Sequence, residues 1–190
     1  MRNIDTDKEQ AIYQAALRLI QQEGFAGLKM SILAKEAQMA AGTIYLYFKS
    51  KEDLINQLYI TLKRRSAQAL MKGYDASAPF MESFELIWQN FLDANLANPE
   101  ESAFVEQYYR SPYLDKTVQE EADQLVAPIF ELLERGKRER LVKDVPTEML
   151  VAQLTGFVNG LAQLHASGNL RITENFKTTA LAMAWDGLKR

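Results

Sequence analysis

The sequence contains no cysteine. That excludes disulfides, thiolate nucleophiles and cysteine-ligated zinc. A single histidine, His165, leaves no basis for a histidine-rich metal site. No stretch of about 18 apolar residues occurs, so no helical membrane span is expected. The opening MRNIDTDKEQ lacks the apolar core of a secretory leader, and a soluble cytoplasmic chain is the expectation. Glycine-rich phosphate loops, HExxH and the nucleophile-elbow pattern are all missing, so an enzyme is not expected and no cofactor is implied. Helix breakers are few: nine Gly and five Pro in 190 residues, placed where helices would end. A chain of this length can bury a core without covalent or metal staples.

What is present is helical periodicity and uneven charge. Residues 1–72 hold eleven Lys and Arg against seven Asp and Glu, whereas residues 73–190 hold eleven against eighteen. A basic head on an acidic body suggests that only the head meets a polyanion. Thr6 and Glu9 have capping-box spacing ahead of an apolar stripe, Ile12, Ala15, Ala16, Leu19 and Ile20, with Gly24 as the stop. Short helices follow over roughly 30–37 and 41–48. Ser50 and Asp53 have the spacing to cap a long helix that runs to about Met71. The turn-rich GYDASAP (73–79) is the best-marked break. Beyond it, helices are expected from Pro79 to Asn98, from Pro99 to about Arg110, over about 115–138 with a kink at Pro128, from Pro146 to the Ser167-Gly168-Asn169 turn, and from Thr173 onward. The reading is an all-α fold of about nine helices.

Two short helices joined by AQMAA (37–41) and braced by longer neighbours have helix-turn-helix spacing. In that arrangement the second helix enters the DNA major groove. Ile44 and Phe48 would face the core with Leu33, Ala37 and Leu54. Thr43, Tyr45 and Tyr47 fall on other sides of the same helix, where hydroxyls can donate to phosphate oxygens. Gly42 permits close backbone approach, and Lys51 can hold a further phosphate.

The block GTIYLYFKSKEDLI, within FAGLKMSILAKEAQMAAGTIYLYFKSKEDLI (25–55), resembles the DNA-binding domain of the TetR/AcrR family of bacterial transcriptional regulators. The resemblance implies a homodimer. It implies a helix-turn-helix head, bounded here as residues 1–50, and a helical effector-binding and dimerisation domain over 51–190. DNA-contact positions carried over or adjacent are Lys29, Ser31, Ala40, Ala41, Gly42, Thr43, Tyr45, Tyr47 and Lys51. Ala40 and Ala41 stand where the family usually has polar residues and offer only methyl groups. Gln38 stands where the family commonly has Gly, so the turn must be made by a residue with a Cβ.

In the body, Phe84, Trp88, Phe91, Phe104, Tyr108, Phe130 and Phe157 are candidates to line a pocket for a small apolar or aromatic effector. The same stripes would equally make an ordinary helical core. The last two helices carry the candidate dimer residues: small Ala152, Gly156 and Gly160, and apolar Leu181, Trp185 and Leu188. They would equally pack within one chain. His165, near a helix end, suits interaction with terminal carbonyls. The function expected is a ligand-responsive repressor bound to duplex DNA. An all-helical interaction module without specific DNA binding is the alternative, and it leaves the basic head unexplained.

Overall fold

The computed structural model describes residues 2–190, with side chains from Thr6 onward. Ten helices account for the described elements, and a lone antiparallel bridge joins Val142 to Lys189. They are α1 (Arg2–Gly27), α2 (Met30–Glu36), α3 (Ala41–Tyr47), α4 (Lys51–Leu70), α5 (Phe80–Ala97), α6 (Pro99–Tyr109), α7 (Lys116–Leu125), α8 (Ala127–Arg138), α9 (Thr147–Ala166) and α10 (Glu174–Leu188). The chain divides into two compact units: Met1–Lys63 with Glu100–Glu121, and Arg64–Pro99 with Ala122–Arg190. The first unit thus takes in a segment remote in sequence from the head.

Most boundaries obey local rules. Gly24 leaves the helical region at φ 67°, ending the regular part of α1 as the sequence implies. The helix begins upstream of the Thr6–Glu9 pair, because no Pro or Gly stops it there, so Thr6 is not the N-cap. The expected single helix over 115–138 is instead two. Val126 breaks it (φ −105°, ψ 2°), and Pro128 sits in the first turn of α8. There the missing N–H would have had no intrahelical acceptor. This accounts for ten helices rather than about nine. Thr173 caps α10, its hydroxyl accepting from the Phe176 N–H at 3.3 Å.

In the first unit Ile12, Tyr13, Ala16, Ile20, Leu33, Ile44, Phe48, Leu54 and Leu58 are buried. In the second, Phe80, Phe84, Trp88, Leu92, Leu132, Leu133, Leu150, Val158, Ala184 and Leu188 form one cluster. Gly136 of α8 lies so close to Phe80 and Val142 that a Cβ there would stand 2.5 Å from Phe80 Cε2. The absence of a side chain is what lets these elements meet.

Candidate nucleic-acid interface

The helix-turn-helix is built by backbone geometry rather than side-chain caps. Lys29 is the N-cap of α2 in extended conformation, and its carbonyl accepts from the Ile32 and Leu33 N–H groups at 3.0 and 2.9 Å. At the other end Gln38 takes φ 55°. The Gln38 N–H donates to Lys35 O at 3.0 Å and the Met39 N–H to Ala34 O at 2.8 Å. This is the paired closure normally made around glycine, here carried by a residue with a Cβ. Ala40 caps α3 in extended conformation, its carbonyl accepting from the Thr43 N–H at 2.9 Å.

Two side chains set the rotation of α3. Ile44 is fully buried and Phe48, just past the helix, is 1 % exposed, with its ring 5.4 Å from that of Tyr13. Burying these two residues stabilises by roughly 2–3 kcal/mol each, far more than the propensity of a seven-residue helix. Tertiary packing therefore holds the helix. Its remaining face is open: Ala40, Ala41, Gly42, Tyr45 and Leu46 are exposed, while Thr43 and Tyr47 are half-buried at the flank. Lys29, Ser31, Lys35 and Lys49 are also exposed. The Ser50 hydroxyl accepts from the Asp53 N–H at 3.2 Å, and the Asp53 carboxylate accepts from the Lys49 N–H at 2.7 Å. The expected cap at the start of α4 therefore forms, with the return bond one residue earlier than the usual reciprocal pattern.

Lys51 opens α4 and makes contacts within its own unit. Its ammonium donates to Phe25 O at 2.6 Å and lies 5.3 Å from the centre of the Tyr113 ring. One of its three donors is thus used within the unit. Around it sits an aromatic cluster that the sequence reading did not assemble. Phe25 lies against Phe104 and Tyr113 at 5.7 and 5.5 Å. Tyr59 stacks on Tyr108 at 3.9 Å, and its hydroxyl donates to that of Tyr109 at 2.6 Å. The Tyr108 hydroxyl donates to Asn56 Oδ1 at 2.7 Å and accepts from the Asp115 N–H at 3.1 Å. Burial pushes the Tyr108 phenol above its usual pKa, and does so more strongly for Tyr13.

The seven candidate effector residues are divided between the two units. Phe104 and Tyr108 belong to the first unit, in contact with Phe25 and Tyr59. Phe84, Trp88, Phe91, Phe130 and Phe157 lie in the second. There Phe84 and Trp88 are buried, and Phe91 and Phe157 pack on the same cluster. The Trp88 indole N–H is buried and has no hydrogen-bond partner among the described residues. Of the candidate dimer residues, Ala152 and Gly156 are exposed, Gly160 is half-exposed, and a Cβ at either glycine would meet nothing within 4 Å. Leu181 and Trp185 are half-buried, Trp185 with its ring 5.5 Å from Phe84. Leu188 is a correction: it is fully buried in its own chain's core, because the end of α10 is tied down by the Val142–Lys189 bridge. His165 Nδ1 lies 3.1 Å from Leu170 O, a loop carbonyl past the helix end.

A packed three-helix head with an exposed second helix defines a helix-turn-helix DNA-binding transcriptional regulator. Residues 12–58 match the family of bacterial regulatory proteins described as the tetR family, and residues 79–189 match the tetracyclin repressor-like C-terminal domain. The chain belongs to the TetR family. It is 38 % identical over 112 residues to an uncharacterized HTH-type transcriptional regulator of Haemophilus influenzae, a match covering 59 % of this chain and 60 % of that one. The match thus spans less than two thirds of that relative's length. Among solved structures, a TetR-family transcriptional regulator from Haemophilus influenzae superposes with a TM-score of 0.80 at 25 % identity, covering 99 % of this chain and 100 % of the other. A TetR-family regulator from Marinobacter aquaeolei VT8 gives 0.93 at 24 % identity over the full length of both chains, which shows the shared fold. No helix among the described residues is long and apolar enough to cross a membrane.

Proposed function

We propose that this regulator is a cytoplasmic homodimeric repressor that leaves its operator when a small, largely apolar effector enters the second unit. The observation that carries the effector reading is the Trp88 indole N–H, buried in a hydrophobic core without a partner among the described residues. Leaving such a donor unsatisfied costs about 1–3 kcal/mol. A ligand that is mostly apolar and brings one acceptor oxygen would recover that cost, with Phe84, Phe91, Phe130 and Phe157 as its apolar surroundings. Release then follows as a shift of population, since the effector must bind the DNA-incompetent arrangement better than the competent one.

DNA binding is assigned to the open face of α3, with Thr43, Tyr45 and Tyr47 at the groove walls and Lys29, Ser31 and the backbone at Ala40–Gly42 near the phosphates. Lys51 joins them with the ammonium protons that its bond to Phe25 O leaves over. Dimerisation is assigned to the outer face of α9 and α10. There Met149, Leu164 and Met183 are 60, 46 and 58 % exposed, Met149 and Leu164 extending the row of Ala152, Gly156 and Gly160 along α9. The domain bounds follow the same division of labour, with 1–50 reading DNA and 51–190 sensing and pairing.

The test is selection of bound sequences from a random duplex pool, followed by titration of that site with and without apolar carboxylates and ketones. The expected result is a two-fold symmetric site, steep salt dependence, and release by at least one compound that Trp88→Phe protein no longer senses. A pool that enriches nothing refutes the regulator reading. Release that is indifferent to Trp88 refutes the effector site.

A further inference from the structure

We propose that Leu46 is the main base-reading side chain of this regulator, and that what it reads is the 5-methyl group of thymine. The inference rests on the reading of α3 as the helix that enters the major groove, and names what that helix recognises there.

At about 100° per residue, the direction opposite buried Ile44 falls between Gly42 and Leu46. These two residues, one turn apart, form the outermost ridge of the helix. Gly42 contributes no side chain and has open space around it. Leu46 is therefore the group that projects furthest. It is 83 % exposed, the highest value among the exposed large apolar side chains. Neither packing nor local helix formation requires leucine at such a position.

The rest of α3 narrows what can be recognised. From Ala41 to Tyr47 there is no Arg, Lys, Asn, Gln, Asp or Glu. The helix therefore has none of the bidentate partners that distinguish guanine or adenine, and no carboxylate for the cytosine amino group. The one base feature of the major groove read by apolar contact is the thymine methyl. An isobutyl group at the crest, next to a glycine that lets the backbone come close, matches it. Exposed Lys29, Lys35 and Lys49 supply attraction to phosphates that carries no sequence information. Affinity and specificity are thereby separated: lysines and hydroxyls hold the duplex, and Leu46 selects thymine.

The experiment starts from the site enriched out of a random duplex pool. Each thymine is replaced in turn by deoxyuridine, which removes the methyl and keeps every hydrogen-bonding edge. One or two positions per half-site should lose about fourfold in affinity, the worth of one buried methyl. With Leu46→Ala protein the loss at those positions should vanish, while affinity for random duplex at the same salt stays within about twofold. An unchanged circular-dichroism melt confirms that this exposed position does not serve the fold. If wild-type protein binds the uracil sites as tightly as the thymine sites, or if Leu46→Ala keeps the full uracil penalty, the inference is wrong although the regulator reading stands. A pool without enrichment overturns both.

Discussion

Replacing Lys51 by alanine tests two roles of one side chain, its contact with Phe25 and a contact with DNA phosphate. Its ammonium donates to Phe25 O at 2.6 Å and faces the Tyr113 ring at 5.3 Å. A charged hydrogen bond of this kind is worth about 1.5–3 kcal/mol, and a cation–π contact at a partly exposed site about 0.5–1. Phe25 is only half-buried, so water recovers part of both. The expected net loss is about 1–2 kcal/mol, or a melting point lower by about 3–6 °C in a chain of this size. Lys49→Ala is the control: its side chain is exposed and its N–H, which serves the Asp53 carboxylate, is kept, so the change should stay within about 0.5 kcal/mol. Urea unfolding followed by circular dichroism measures both. The same Lys51→Ala protein is then titrated with operator across a salt series. If the ammonium meets a phosphate on binding, the slope of log affinity against log salt falls by about one. Stability equal to that of the Lys49 variant would refute the reasoning about the Phe25 contact. An unchanged salt slope would remove Lys51 from the phosphate contacts.

Other positions test the packing by their sign. Gly136→Ala would gain about 1 kcal/mol on an open helix, but here the Cβ would stand 2.5 Å from Phe80 Cε2 and 2.7 Å from Val142 Cγ2, both on buried side chains. A net loss of about 1–2 kcal/mol in urea is expected, and a gain would contradict the packing. Gly156→Ala with Gly160→Ala meets nothing within the chain and should favour α9 by about 1 kcal/mol per site, while sedimentation equilibrium shows a weakened dimer; an equal or tighter dimer removes this face from the interface. Gln38→Gly relieves a left-handed residue at φ 55° and should raise stability by about 1 kcal/mol, read from the urea midpoint. Tyr108 has a folded-state pKa raised by burial, so its stabilising contribution is complete below about pH 10 and is lost as pH rises beyond it. Tyr108→Phe should make that alkaline limb shallower in pH-dependent melts, leaving the part due to Tyr13.

Much of the head was legible in the chain itself. The spacing of Ile44 and Phe48 identifies the buried side of α3, the Ser50–Asp53 pair marks the start of α4, and Gly24 marks the end of the regular part of α1, because each is a local rule linking a residue type to backbone geometry. Gln38 was marked as the turn residue by the family resemblance, which puts Gly at that place, and it takes φ 55°. Three things were decided only by tertiary structure. Phe104, Tyr108 and Tyr113 read as body residues from their position in sequence, yet they pack with Phe25, Tyr59 and Lys51, because which helix a stripe meets depends on contacts between residues some 50 or more positions apart. Leu188 looked available to a second chain until the Val142–Lys189 bridge closed over it. Leu46 stands within the GTIYLYF block and drew no notice as a letter. Its meaning came from burial of its neighbours, which turns one side of a short helix inward and leaves the opposite side to face whatever the protein binds.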